Sequence, residues 1–537
     1  MSHPYSYPLL IGQILQAPLH STNRIVHGEH DLSYRDLAAR VARAGAVYHA
    51  LGLGHGSVIA VMDWDSHRYL ESFFAIPMLG ATLHTVNVRL SPEQILYTIN
   101  HAQDDAILVH EDFLPLLLPL LPRIERPVKL VLLSDRTAPP IPEGFAGEYE
   151  ALIAAASEDF RFEEFDENTR ATLFYTTGTT GDPRGVSYSH RQLVLHTLGV
   201  MAGLGPVPGN GGVHRRDIYM PLTPLFHVHA WGFPYVATML GLKQVYPGRY
   251  EPVKLLALIQ HHGVTFSHCV PTILAMLLAV PEETPTDLSR WKVIIGGAAL
   301  PEGLARAALA RGIDVHAGYG MSETCPLLTL ADQTGAQAAT DHLPIRTATG
   351  KAVPLVQLRI VDPEMRDVPH DGQTTGEVVA RAPWLTQSYL RNEAGSADLW
   401  RGGWLHTGDV GHMAADGTLR ITDRLKDVIK SGGEWISSLK LENTVSTVPG
   451  VREVAAIGVP DARWGERPAL ILAMAEADAE TVSAAARQAV EAAVARGTLS
   501  KWAMPDRIMR VEALPKTSVG KIDKKTIRAA VAAGTIA

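Results

Sequence analysis

Twelve consecutive residues, Tyr175-Thr176-Thr177-Gly178-Thr179-Thr180-Gly181-Asp182-Pro183-Arg184-Gly185-Val186, hold four threonines, three glycines and one cation. Glycines let a backbone approach a ligand and take positive φ. Successive N–H groups in such a turn form an anion-binding concavity. Threonine hydroxyls add donors, and a guanidinium grips phosphate oxygens bidentately. With apolar residues on both sides, the stretch reads as a phosphate-gripping loop between two strands. It is not a Walker A loop, because Gly-x-x-x-x-Gly-Lys-Ser/Thr is absent.

Further stretches add to this chemistry. In His316-Ala317-Gly318-Tyr319-Gly320-Met321-Ser322-Glu323-Thr324 an aromatic between glycines can lie flat against a purine, and a carboxylate followed by a hydroxyl suits Mg²⁺ and a phosphate oxygen. In Trp404-Leu405-His406-Thr407-Gly408-Asp409 a carboxylate after glycine can accept both hydroxyls of a ribose. Asp423 to Ser437 is a charged run followed by Gly432-Gly433, at a change of composition, and reads as an interdomain hinge. Lys521 follows Gly520 on a predicted exposed loop, with Lys516 and Lys524 beside it expected to be solvated.

These groups need a large scaffold. The chain has 537 residues, 46% hydrophobic and 19% charged, as a globular protein with a substantial core requires. A net charge of −8 argues against a nucleic-acid binder. With only Cys269 and Cys325, no disulfide framework is expected and a reducing compartment is implied. The first residues lack the basic region of a signal peptide, and no apolar run reaches the ~18 residues of a spanning helix. The expectation is a cytoplasmic protein without an integral membrane segment. The 23 histidines show no paired spacing that insists on zinc.

Strand and helix signals alternate from 24 to 135, which means βαβ units and mostly parallel sheet. The pattern predicts helices over 34–51 and 69–80, and another opening at Ser91-Pro92 with serine at the N-cap and proline at N1. It predicts strands at 57–62, 81–86 and 105–109. From about 350, short strands at 358–361, 376–380 and 418–421 suggest a small β-subdomain with an Asp416-Gly417 hairpin turn. Beyond Arg424 comes a separate α+β unit with strands near 451–459 and 469–474 and a helix over 480–496.

In order along the chain, these motifs resemble those of the adenylate-forming superfamily of acyl-CoA synthetases, non-ribosomal peptide adenylation domains and firefly luciferases. The resemblance runs from 175 to 525. It includes Leu514-Pro515-Lys516-Thr517-Ser518-Val519-Gly520-Lys521-Ile522-Asp523, whose Lys521 matches the family's adenylation lysine. It implies an α/β fold: a large N-terminal domain of βαβ-layered sheets plus a small β-subdomain over 1–423, a hinge at 424–429, and a smaller mobile α+β domain over 430–537. It also implies ATP, Mg²⁺ and coenzyme A as reactants and cofactors, acting on a small carboxylic acid. Some relatives are homodimers.

Residue by residue, the resemblance assigns ATP and AMP to Thr176, Thr177, Gly178, Thr179, Thr180, Gly181, Arg184, Gly297, Ala298, Gly318, Tyr319, Gly320, Met321, Asp409, Ile421 and Arg424. Tyr319 would stack on adenine, Asp409 and Arg424 would hold the ribose, and Thr324 the α-phosphate. Glu323 with Thr176 would hold Mg²⁺. Arg184 stands where the family usually has lysine, which keeps the charge and changes its geometry. Lys521 would bridge the acid's carboxylate and the α-phosphate. Lys426 would be the hinge residue, and Lys430, Ser431, Gly432, Gly433, Glu434 and Trp435 would line the CoA thiol channel.

Pro224-Leu225-Phe226-His227-Val228-His229-Ala230-Trp231 carries the substrate clue. His227 resembles the histidine beside the acid's carboxylate. Trp231 resembles the tryptophan gating the acyl tunnel, an amphipathic indole on the first turn of a helix. Val270, Gly296 and Gly320 complete the expected acyl pocket. Together with Lys430 to Ser437 this points to the fatty-acyl branch, which also holds ligases for 3-methylmercaptopropionate. The expected activity is ATP-dependent ligation of a fatty, medium-chain acid to CoA through acyl-AMP. A 3-methylmercaptopropionate or aromatic-acid ligase, a luciferase-like oxygenase and a carrier-protein-loading enzyme share the motifs and stay open.

Overall fold

The computed structural model describes residues 7–176, 182–205, 212–281, 286–332, 334–335, 342–432, 434–475, 479–517 and 521–536. Thr177, Gly178, Thr179, Thr180, Gly181, Gly433 and the Trp435 side chain lie outside the described residues.

Among the described residues the strands group into four sheets. Val58–Met62, Thr82–Thr85, Ala106–His110 and Lys129–Leu133 are parallel neighbours in a seven-stranded sheet that ends in the antiparallel pair Arg170–Thr176 and Arg184–Ser189. All five residues of Val58–Met62 are buried. Such an unbroken apolar run is what a parallel strand covered on both faces requires. A nine-stranded sheet has Phe266–Cys269, Lys292–Ile295 and Asp314–Gly320 as parallel neighbours, with Leu327–Leu330 added antiparallel. One core cluster runs from Ile11 to Leu405 and draws on both sheets.

Helix starts follow local chemistry. Ser33 caps Tyr34–Ala50 and Ser91 caps Pro92–Ala102, each in a reciprocal capping box with the residue three positions on. The apolar helix spans His67–Met78, two residues earlier than its sequence pattern, because Ser66 caps it.

Gln357–Val361, Gly376–Arg381, Leu405–Met413 and Leu419–Arg424 form a four-stranded antiparallel sheet. Its last hairpin turns at Asp416-Gly417, with Gly417 at φ +82° and the Thr418 N–H donating to Asp416. A five-stranded sheet follows, centred on Glu453–Asp461 and Gly465–Ala473, and the buried clusters on it draw only on residues from 429 onward. This is the α/β architecture read from the sequence. Among the described residues, no helix is long and apolar enough to cross a membrane.

Candidate active site

The glycine-threonine loop springs from the antiparallel pair whose last register partners are Thr176 and Arg184. Tyr175, just before it, has its hydroxyl 2.8 Å from His101 Nδ1, which anchors the first strand. Arg184 turns its guanidinium over the Tyr389 ring, 5.1 Å from the centroid. Tyr389 in turn donates its hydroxyl proton to Glu323 Oε1 at 2.7 Å. Tyr389 thus links Arg184 to the acidic residue of the second motif.

Asp314–Gly320 delivers that motif. Gly320 has no room for a side chain: a Cβ there would sit 1.7 Å from the Pro326 carbonyl oxygen. The Met321 N–H donates to Thr324 Oγ1 at 3.0 Å, and buried Thr324 also donates to the Pro326 carbonyl. Tyr319 donates its hydroxyl to Asp409 Oδ2 at 2.8 Å, while Arg424 Nε lies 3.1 Å from Asp409 Oδ1. Asp409 and Arg424 are register partners on adjacent strands, so the sheet itself aligns carboxylate and guanidinium. Asp409 keeps Arg424 charged, raising its pKa. Ile421 lies three residues before Arg424, its N–H donating to Thr349 Oγ1.

Lys521 reaches this site from the stretch between the last strand, Arg507–Val511, and the last helix, Lys524–Ala532. Its loop is closed by the Thr517 N–H donating to the Lys521 carbonyl at 2.7 Å. A Cβ on Gly297, at φ +76°, would meet Lys521 Cε and Val270 Cγ1 each at 3.1 Å. Ala298 beside it is exposed. Burial, then Arg424, lowers the Lys521 pKa to about 8, with Asp409 and Glu323 opposing. Burial, then Lys521 and Arg89, lower His227 to about 3, so its imidazole is neutral beside those two cations.

This gives a pH prediction. A lysine must be protonated to neutralise carboxylate and phosphate, and kcat/KM reports the free enzyme's ionisations. For any reaction that uses this ammonium, kcat/KM should therefore fall about tenfold per pH unit above roughly 8. A flat profile from pH 7 to 10 would refute this.

The acyl side holds a correction. Trp231 does not lie on the first turn of a helix. Val228, His229, Ala230 and Trp231 all have positive φ, from 46° to 59°, and Gly232 follows at 73°. They form a left-handed turn ahead of the helix Phe233–Leu240. Each non-glycine residue so placed costs about 1–2 kcal/mol. The Trp231 indole fills the space over Gly296, where a Cβ would meet its ring at 2.9 Å, and its ring centre is 5.0 Å from that of His268.

A second correction concerns Lys524, which is not solvated. It bridges Glu442 and Ser438 Oγ, each at 2.7 Å, because the α+β unit folds its last helix back over that carboxylate. Lys516 likewise pairs with Glu453.

The site therefore joins Arg184, Tyr389 and Glu323, then Tyr319, Asp409 and Arg424, then Lys521, Gly297 and Val270, with Trp231 over Gly296. Lys426 borders it, its pKa lowered by burial and by Arg424. The hairpin at Lys430 to Trp435 is turned elsewhere: the Lys430 N–H donates to Glu466, Ser431 Oγ accepts from Arg467, and the Gly432 N–H donates to the Trp464 carbonyl. Glu434 is exposed at its tip. Sequence reasoning missed Tyr389, whose stretch carries no pattern and joins the site through an isolated bridge to Val186.

Tyr319 and Arg424 both engage Asp409, Tyr389 ties Arg184 to Glu323, and Lys521 packs against Gly297. The chain belongs to the AMP-binding enzyme family. That family's model matches residues 16–390, and the model of the AMP-binding enzyme C-terminal domain matches 440–521. The chain is 38% identical to the long-chain-fatty-acid–CoA ligase of Thermus thermophilus, covering 94% of this chain and 91% of that protein. It is 37% identical to the 3-methylmercaptopropionyl-CoA ligase of Ruegeria lacuscaerulensis, over 97% of each. Its fold matches the anthranilate CoA ligase AuaEII, solved with anthranoyl-AMP, at a TM-score of 0.85 and 24% identity over 99% of both chains.

Proposed function

We propose that this chain is an AMP-forming acid–thiol ligase for a fatty, medium-chain or closely related carboxylic acid, with MgATP and CoA as the other substrates. The observation that carries the reading is Lys521 against Gly297, in the field of Glu323, Asp409, Arg424 and neutral His227. In the first step a carboxylate oxygen of the acid attacks the α-phosphorus, and the bond to the β-phosphate oxygen breaks to release pyrophosphate. Lys521 offsets the charge that gathers there. In the second step the CoA sulfur attacks the acyl carbon and AMP leaves with its oxygen.

The oxygen-only donors Glu323 and Thr176 are of the kind Mg²⁺ takes, and when bound it would neutralise phosphate charge. The thiol step requires the Lys430-to-Trp435 hairpin to replace Lys521 at the cleft. That motion is a rotation of 430–537 against 1–423 about the 424–429 segment at Lys426. The apolar wall of Trp231, Val270 and Gly296 favours an aliphatic acid.

A panel of acids from C2 to C18 with 3-methylmercaptopropionate and benzoate, read by AMP release with CoA, tests the reading. The expected maximum falls on a medium-chain acid. Activity independent of CoA would move the assignment to carrier loading, and oxygen uptake on an acyl-AMP would move it to an oxygenase.

A further inference from the structure

The strained turn needs something to hold it, because left-handed backbone in non-glycine residues persists only where the surroundings over-determine it. The segment entering the turn is pinned at two successive residues by side chains from the other large sheet. Asp65 lies between the strand Val58–Met62 and the helix His67–Met78 and is 3% exposed. Its Oδ1 accepts the Leu225 N–H at 2.9 Å, and its Oδ2 accepts the Tyr250 hydroxyl at 2.6 Å. Its own carbonyl accepts the Gly248 N–H at 2.8 Å, which fixes Asp65 in turn. One residue on, Thr85 donates its hydroxyl to the Phe226 carbonyl at 2.9 Å.

His227 follows directly, its N–H closing onto the Pro224 carbonyl at 2.9 Å. The left-handed run to Trp231 begins at the next residue. We propose that Asp65, seconded by Thr85, is a positioning residue for acid recognition, holding the backbone at 225–226 so that the strained turn presents His227 and Trp231 to the acid. The action passes through the Leu225 and Phe226 backbone to the residues that face the acid. This rests on the reading of His227 and Trp231 as the acid site.

Asparagine keeps the oxygen that accepts the Leu225 N–H, whereas alanine removes it. The test is steady-state ATP–pyrophosphate exchange with octanoate as the acid. Displacing reacting groups by an ångström costs up to about a hundredfold. On that scale Asp65→Ala should raise the octanoate KM about tenfold or more, with the ATP KM held within about twofold. Asp65→Asn should recover most of the loss, and Thr85→Val should shift the octanoate KM in the same direction by about threefold.

A fold-wide structural role would move the ATP and acid constants together and would not be rescued by asparagine. The proposal is overturned if folded Asp65→Ala leaves the octanoate KM unchanged, if both KM values rise equally, or if Asp65→Asn is as impaired as alanine. Where Asp65→Ala does not fold, Thr85→Val decides: a selective rise in the acid KM supports the proposal, and no such rise refutes it. If wild type shows no acid-dependent exchange with any acid, it is the acid-site reading that falls. Normal wild-type exchange with unaffected variants overturns only the Asp65 role.

Discussion

Lys521→Ala should abolish ATP–pyrophosphate exchange and leave thioester formation from supplied acyl-AMP within a few-fold of wild type. Lys521 packs against Gly297, with neutral His227, Glu323 and Asp409 in its field, and the proposed function makes it the cation of the adenylation step. With His227 uncharged, removing the ammonium leaves an incoming carboxylate to approach the α-phosphate without that cation. Deleting one preorganised stabiliser of developing charge lowers kcat by about 10²–10³-fold, so exchange should fall at least that far. Thioester formation from acyl-AMP needs no bond made at phosphorus and should be spared. Equal loss in both half-reactions, by pyrophosphate exchange and by CoA consumption with synthetic acyl-AMP, would sink the assignment.

Gly320→Ala should cost both stability and nucleotide binding. Its Cβ would sit 1.7 Å from the Pro326 oxygen and 2.6 Å from the carbonyl carbon, and both are backbone atoms with no rotamer to yield. The strand Asp314–Gly320 would have to part from Leu327–Leu330, carrying Tyr319 off Asp409 and Met321 off Thr324. Overpacking against rigid backbone costs about 1–3 kcal/mol or more, and the displaced hydrogen bonds add to it. Gly303→Ala is the matched control: it lies in the helix Glu302–Ala310 with nothing within 4 Å of its Cβ. That change should be neutral or stabilising by about 0.4–1 kcal/mol. Thermal unfolding and ATP titration of the two variants separate the cases. A Gly320→Ala protein with wild-type melting and ATP affinity would contradict the geometry.

Part of the fold and of the site is legible in the amino-acid sequence. Val58–Met62 announces itself because a strand covered on both faces must be apolar throughout, and Ser91-Pro92 because capping is decided within three residues. The residues that the family resemblance assigns to the nucleotide stand out by type: glycines flanking Tyr319, and a carboxylate after Gly408. Tyr389, Asp65 and Thr85 are hidden for the opposite reason. They are ordinary residues whose partners, Glu323, Leu225 and Phe226, lie 66, 160 and 141 positions away, where no local pattern can signal them. The turn at Val228 to Trp231 runs against local preference altogether, since valine and tryptophan disfavour positive φ. Tertiary contacts override propensity there. Lys524 reads as solvated from its neighbours because a lysine beside a loop gives no sign of the half-buried Glu442 it pairs with.

That left-handed turn has a consequence for altering acid preference. Four non-glycine residues at positive φ hold roughly 4–8 kcal/mol, comparable with the net stability of a whole domain. A wall held under such load responds to whatever grips its ends, not only to what lines it. If the proposed acid site holds, substitutions after Val58–Met62 or along Thr82–Thr85, remote in sequence from His227 and Trp231, are then as direct a route to a new chain-length preference as changes at Trp231 itself. Laboratory selection for longer or shorter acids should be allowed to reach that supporting sheet.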